Sequence, residues 1–384
     1  MSAHHKYLDY ACASLSHNPL FFPQGFFGEG WGDVHIPSIL EKRITDHHEK
    51  YAVRLIDSMD LEVIKSSPLK LQKKPTVTIS GRFKSTLRDG DVLLPPESQQ
   101  AYFELIVPES MLDRSFMSID GRGKSLVVIL PGTGEHGCIH RRRTIAEPLA
   151  RSGVASLVLE GAFYGKRKPK TQKGSKLRRV SDLPILGIAT IEETKSLLTW
   201  FKEHYGFDHV VVAGSSMGGL HAAMTAALCP FDVGVASWIA PPSAVPAFTQ
   251  GLLSRSCNWQ SLHEREDLAV IDHLLSNQVD YYTTNAEDEI AAQVKKRLAA
   301  FLSITNIENF PTPRRPDAVV FSQATEDQYI GDNAMQWENL RRRWPGAQFR
   351  RVKAGHVSGI LFETQAFVQT IQDVVQVLQS SRGL

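Results

Sequence analysis

Residues 209–228 read HVVVAGSSMGGLHAAMTAAL. A short apolar run leads into a glycine-flanked pair of serines, and an alanine-rich run follows without a break. The first part has the continuous apolarity of a strand buried on both faces, and the last part suits a helix. Between them, Gly214-Ser215-Ser216-Met217-Gly218 fits G-x-S-x-G. A strand-to-helix turn of this kind lifts a serine hydroxyl above the edge of a sheet, with a helix amino terminus beneath it. The same five residues would also serve as a tight turn in which serine caps a helix. Ser216 is a nucleophile only if the chain also supplies a base and an acid.

FRRVKAGHVSGILF (349–362) supplies the base. His356 follows Gly355 at the end of a last strand, and a helix follows it. His221 lies closer in sequence, but it sits on the helix beyond the elbow and reads as packing. The acid comes from VVFSQATEDQYIG (319–331), where Glu326 and Asp327 stand just past a strand. Serine, acid, histidine is the chain order of α/β-hydrolases, not of the chymotrypsin or subtilisin arrangements. The residues alone leave Glu326 and Asp327 both open.

The surrounding chain alternates as such a fold requires. SLVVIL (125–130) precedes a helix from about Arg141 to Ser152, and VASLVLE (154–160) follows. IATIEETKSLLTWFKEHYG (188–206) predicts an amphipathic helix ending at Gly206. Strands also fall at 233–240, 317–324 and 347–356, and a terminal helix at 364–381. The pattern predicts an α/β fold with a mainly parallel central sheet flanked by helices. A mostly helical stretch, 241–316, interrupts it as an insertion over the carboxyl edge. Upstream, TVTISGRFKS (76–85) and AYFELIVPE (101–109) read as strands, and 37–58 as a helix. Residues 1–70 form a helical extension in this reading, and 71–384 the main domain.

SLVVILPGTGEHG (125–137) carries a second signal. Gly132, Gly134 and Gly137 are spaced as G-x-G-x-x-G, with Glu160 ending the next apolar run, the outline of a dinucleotide site. A dinucleotide-dependent oxidoreductase would leave Ser216, Asp327 and His356 without a purpose, and Pro131 interrupts the strand-to-glycine step. In a hydrolase the same turn offers amides to an oxyanion. Thr133 or Gly134, together with Met217, are the candidate donors.

With 42% apolar and 22% charged residues the composition is that of a globular chain, and a net charge of +2 gives no case for nucleic acid. Cys12, Cys138, Cys229 and Cys257 are scattered, as free thiols in a reducing compartment would be. No apolar run approaches the ~20 residues of a membrane span, and neither a secretory signal nor a transit peptide is evident. An intracellular protein without metal or organic cofactor is expected. His136 and His140 lack a third ligand partner. HRRR (140–143) puts Arg141, Arg142 and Arg143 at a helix start, where they oppose the macrodipole and need carboxylates, such as Glu160 and Asp182, or an anionic ligand. GKRKPKTQKGSKLRR (165–179), with Lys166, Arg167 and Lys168, is either a solvated loop or a surface for phosphate head groups or an anionic membrane.

A wider set of motifs carries a resemblance. LPGTGEHGCIHRRRTIAEPLA, YGKRKPK, VSDL, GSSMGG, SCNW, ATEDQYI and GHVSG, with FFGEGWGD near the amino terminus, are similar to the family of α/β-hydrolase domain-containing protein 18. The resemblance implies an α/β-hydrolase fold and Asp327 as the triad acid. Gly331 departs from it, since the family usually has proline after YI. The expected function is a serine hydrolase that cleaves carboxylic esters through an acyl-enzyme, with a lipid or phospholipid acyl ester as substrate. The alternative is an inactive scaffold of the same fold that binds a ligand or partner.

Overall fold

The computed structural model describes residues 2–16, 18, 24–66, 75–112, 119–263, 271–273, 289–331 and 333–380. Its sheet has nine strands: β1 (Asp60–Ser66), β2 (Thr76–Lys84), β3 (Gln100–Pro108), β4 (Ser125–Leu130), β5 (Ala155–Leu159), β6 (His209–Ser215), β7 (Gly234–Trp238), β8 (Val319–Ala324) and β9 (Gln348–Val352). Their spatial order is β1-β2-β3-β5-β4-β6-β7-β8-β9. The first three form an antiparallel meander, and β3 also runs antiparallel to β5. All remaining pairs are parallel. The protein is an α/β hydrolase in architecture.

The apolar runs are explained by burial on both faces. Along β4, Leu126, Val128 and Leu130 join one apolar cluster, while Val127 and Ile129 join another on the opposite side. The first cluster takes in helices Asp182–Tyr205 and Met217–Leu228. The second takes in the 139–151 helix and the amphipathic helix Thr364–Ser380, which contributes Phe367, Ile371, Val374 and Leu378. Gly206 ends the long helix with φ +71°, a left-handed conformation that glycine adopts without steric cost.

Three local expectations change. The helix expected over 37–58 is Ile36–Thr45 only. Asp46 stops it, because its carboxylate accepts the amides of His48 and Glu49 at 2.8 and 3.2 Å and turns the chain. The extension drawn over 1–70 is not wholly helical: β1 lies within it and pairs with β2. The helix near Arg141 begins at Ile139 and passes through a π-helical segment over Arg142–Ala146.

Within 241–316 the described residues are mostly helical, including Ala244–Thr249, Trp259–His263 and Glu289–Leu302. The rest of that insertion, 264–270 and 274–288, lies outside the described residues. The 24–34 segment packs against the insertion through Phe26 on Phe248 (5.4 Å) and Trp31 on Phe301 (5.8 Å). Among the described residues no helix is long and apolar enough to cross a membrane.

Candidate active site

The G-x-S-x-G turn is built by close approach. A Cβ on Gly214 would lie 2.4 Å from the carbonyl carbon of Gly218, and one on Gly218 would lie 2.6 Å from the Leu130 carbonyl oxygen. Glycine at both positions lets the 217–228 helix start directly on the end of β6. Ser216 between them has φ +55° and ψ −126°, a strained conformation for a residue with a side chain. That geometry matches the one a nucleophile elbow requires.

Three side chains 140 and 29 residues apart in sequence meet there. His356 Nε2 lies 3.0 Å from Ser216 Oγ, and His356 Nδ1 lies 2.6 Å from Asp327 Oδ2. A carboxylate only accepts, so Nδ1 carries the proton and Nε2 is left to accept from the serine hydroxyl. Asp327 is itself fixed, since its Oδ1 accepts the amides of Tyr329 (2.8 Å) and Ile330 (3.2 Å). Tyr329 then stacks on the imidazole, ring centres 5.1 Å apart. Burial pulls the His356 pKa down, but the charge and hydrogen bond of Asp327, with the charge of Asp9, outweigh it and the net shift is upward. Glu326, the other acid of the pair, points away and meets Lys6 at 3.3 Å.

The Ser216 hydroxyl opens on a cavity of about 360 Å³. Ile129, Leu130, Ile145, Leu253, Val357, Ile360, Leu361 and Phe367 make most of its wall apolar, and Glu135, His140 and Arg141 add polar groups. Thr133 lines it, as does Gly132. The Gly132 amide is already donated to Glu135 Oε2 (3.1 Å). Gly134 is not on the wall: at φ +76° it faces Ser175, which a Cβ would meet at 3.0 Å. Of the two candidate amides in this turn, the cavity therefore favours Thr133. Met217, as the first residue of its helix, has an amide without a helical acceptor.

The basic residues fall differently from the expectation. Arg141 is buried and clamps the turn. Its Nε donates to Glu135 Oε1 (2.7 Å), Nη1 to the carbonyls of Ile129 (2.8 Å) and Leu159 (2.7 Å), and Nη2 to Gly137 (3.0 Å). Arg142 pairs with Glu104 at 2.8 Å and lies off the cavity wall, as does the exposed Arg143. Arg167 is fully buried, and Glu193 occupies its fork at 2.5 and 2.8 Å. Arg141, Arg142 and Arg167 thus have carboxylate partners, Glu135, Glu104 and Glu193, which are not the Glu160 and Asp182 named from the sequence. Lys166 is exposed over the Tyr102 ring, and Lys168 is half-buried. Glu160, the acid of the dinucleotide outline, is buried and accepts the Lys166 amide at 2.9 Å. His136 and His140 part company: His136 accepts the Gly165 amide at 2.9 Å and meets Ser175, while His140 is on the cavity wall. His221 is buried in packing, with its pKa pushed down to about 4 by burial.

Arg141→Ala is expected to lower stability by roughly 3 kcal/mol, because it takes the cation from Glu135 and a donor from three carbonyls. It should also reduce turnover of charged and neutral esters alike by loosening the turn. Thermal melts and a matched pair of esters measure both, and a loss confined to the charged ester would restore an anion-binding role.

One contributor had no signal in the motifs. Asp9, on the amino-terminal helix Ser2–Ser16, is fully buried and accepts the amides of Gln328, His356 and Val357. Gly331 has φ +65°, a conformation closed to the proline that the family pattern has there.

Residues 24–377 match the family model described as alpha/beta hydrolase domain containing 18, and the chain belongs to that family. Among solved structures it is similar to an acetyl xylan esterase from Paenibacillus sp. R4, with 12% identity and a TM-score of 0.50 over 88% of this chain and 92% of that one. It is also similar to acetyl xylan esterase 1 from Thermoanaerobacterium sp. JW/SL YS485, with 13% identity, a TM-score of 0.46, and coverage of 91% and 96%. At 12% identity the first of these likenesses speaks for the fold alone.

Proposed function

We propose, from membership of that family and the geometry around Ser216, that this chain is a serine hydrolase cleaving carboxylic esters with an apolar acyl group. One observation carries the reading: a serine at a strained elbow, hydrogen-bonded through His356 to Asp327, opens on a largely apolar cavity. Ser216 attacks the acyl carbon while His356 takes its proton. The oxyanion is received by the amides of Met217 and Thr133, each worth ~3 kcal/mol to the transition state. The imidazolium, held by Asp327, then protonates the departing alkoxide. Water, deprotonated by the same histidine, resolves the acyl-enzyme and restores Ser216.

The acyl ester of a lipid is the substrate class we favour, since a cavity with an apolar wall excludes water from a hydrocarbon chain. A phosphate-bearing head group, and contact with an anionic membrane, now rest on the exposed lysines near 165–175 rather than on the arginines.

A fluorophosphonate probe tests the reading, because only an activated serine reacts with it. Stoichiometric labelling is expected, together with a kcat/KM that rises with acyl length across neutral nitrophenyl esters. Each buried methylene adds about 0.8 kcal/mol, or roughly fourfold, until the cavity is filled. A folded protein that neither labels nor hydrolyses any ester of the series would be a binding scaffold instead.

A further inference from the structure

We propose that Asp9 is a second carboxylate of the site, a positioning residue through which the amino-terminal helix holds the acid loop and the histidine loop in register. The inference rests on the hydrolase reading above. Asp9 lies 318 residues from Asp327 and 347 from His356, yet it bridges the two loops that carry them. Its Oδ2 accepts the amides of Gln328 (3.1 Å) and His356 (2.9 Å), and its Oδ1 accepts that of Val357 (2.9 Å). One carboxylate thus joins the residue after the acid to the base itself.

The helix that carries Asp9 is seated on the same loops along its length. His5 meets Ser358 at 2.9 Å, Lys6 meets Glu326 at 3.3 Å, and Tyr10 donates to Gln328 at 3.2 Å. Ala13 packs with Leu252, Tyr329 and Ile330. These contacts hold the helix in place, but they do not call for a buried charge at position 9. A carboxylate wholly removed from water is costly unless hydrogen bonds or a cation compensate it. Among the described residues Asp9 makes no ion pair, and three amides are its compensation. What the negative charge adds is a field at His356, whose imidazolium forms during each half of the reaction.

Other groups around the imidazole are accounted for. Asp327 is hydrogen-bonded to it, the Ser216 hydroxyl faces Nε2, and the Tyr329 ring stacks on it. In the cavity Glu135 is paired with Arg141, with His140 further along the wall. On its own helix Asp9 faces Cys12, whose pKa is raised by burial and then by Asp9. Glu326 is paired with Lys6, and His5 is joined to Ser358. Asp9 is the charge whose removal changes the field at His356 without touching a triad side chain.

The test compares Asp9→Asn and Asp9→Glu with wild type in the full chain. Asp9→Asn should lower kcat for a soluble ester by roughly ten- to a hundredfold, the scale of a lost charged hydrogen-bond set, with KM within about twofold. Removing a negative charge lowers the pKa of His356, so the acid limb of kcat/KM should move to lower pH. Asp9→Glu keeps the charge one methylene away, so it should keep the acid limb in place while lowering kcat. Loss of activity with an unmoved acid limb in Asp9→Asn, or a folded Asp9→Asn with wild-type kcat, would overturn the proposal. If Asp9→Asn does not fold, Asp9→Glu decides: reduced kcat with the limb in place supports the role, and unchanged kcat refutes it. The His356 ring titration, followed by NMR, needs no hydrolysis. An unlabelled wild type would defeat the hydrolase reading, whereas an unmoved titration in Asp9→Asn would defeat this one.

Discussion

Ser216→Ala is expected to fold as the wild type does and to turn over ester about 10⁶-fold more slowly, the cost of removing the nucleophile in comparable triads. Folding should survive because alanine suffers the same positive-φ strain at this position as serine does. The substitution removes the 3.0 Å hydrogen bond to His356, and the flanking glycines still let the helix start on β6. Fluorophosphonate labelling should disappear with turnover, while near-ultraviolet circular dichroism and the melting temperature stay near wild type. Ser215, the last residue of β6, also lines the cavity and provides the control. Labelling that persists in folded Ser216→Ala and is lost in Ser215→Ala would move the nucleophile by one residue.

Asp327→Asn is expected to reduce turnover by about 10⁴-fold, through the tautomer effect known from other triads. The surroundings of Asp327 dictate how the amide sits. Its Oδ1 position receives two backbone amides, from Tyr329 and Ile330, so the asparagine oxygen must stay there. The NH₂ then occupies the Oδ2 position and faces His356 Nδ1, 2.6 Å away in the wild type. Two donors cannot share that contact, so Nδ1 gives up its proton and Nε2 takes it. A protonated Nε2 cannot accept from Ser216. Glu326→Gln removes only a partly exposed contact with Lys6 and should change turnover less than about twofold. Measured kcat values for the two variants on one neutral ester decide the matter, and the reverse ranking would reassign the acid.

Much of this protein was legible in its sequence, for reasons that are local. Strands buried on both faces must be apolar at consecutive positions, so β4, β5 and β6 show as SLVVIL, ASLVL and HVVVAG. The elbow is legible because Gly214 and Gly218 lie close in sequence as well as in space, where a Cβ on either would clash. The histidine is marked by its place between a last strand and a helix. Local pattern failed where no motif marks a side chain's partner. Arg141, Arg142 and Arg167 looked available to an anion, and only the folded chain brings Glu135, Glu104 and Glu193 against them. Glu326 and Asp327 are neighbours of the same chemistry, and the direction of each side chain, towards Lys6 or towards His356, is set by loop packing. Gly134 left the cavity wall through a backbone turn that spacing does not encode. Asp9 is the extreme case. No periodicity or motif links position 9 to position 356, because hydrogen bonds act across a few ångströms of space, and two positions 347 apart in sequence are brought together only by the sheet and the helices packed upon it.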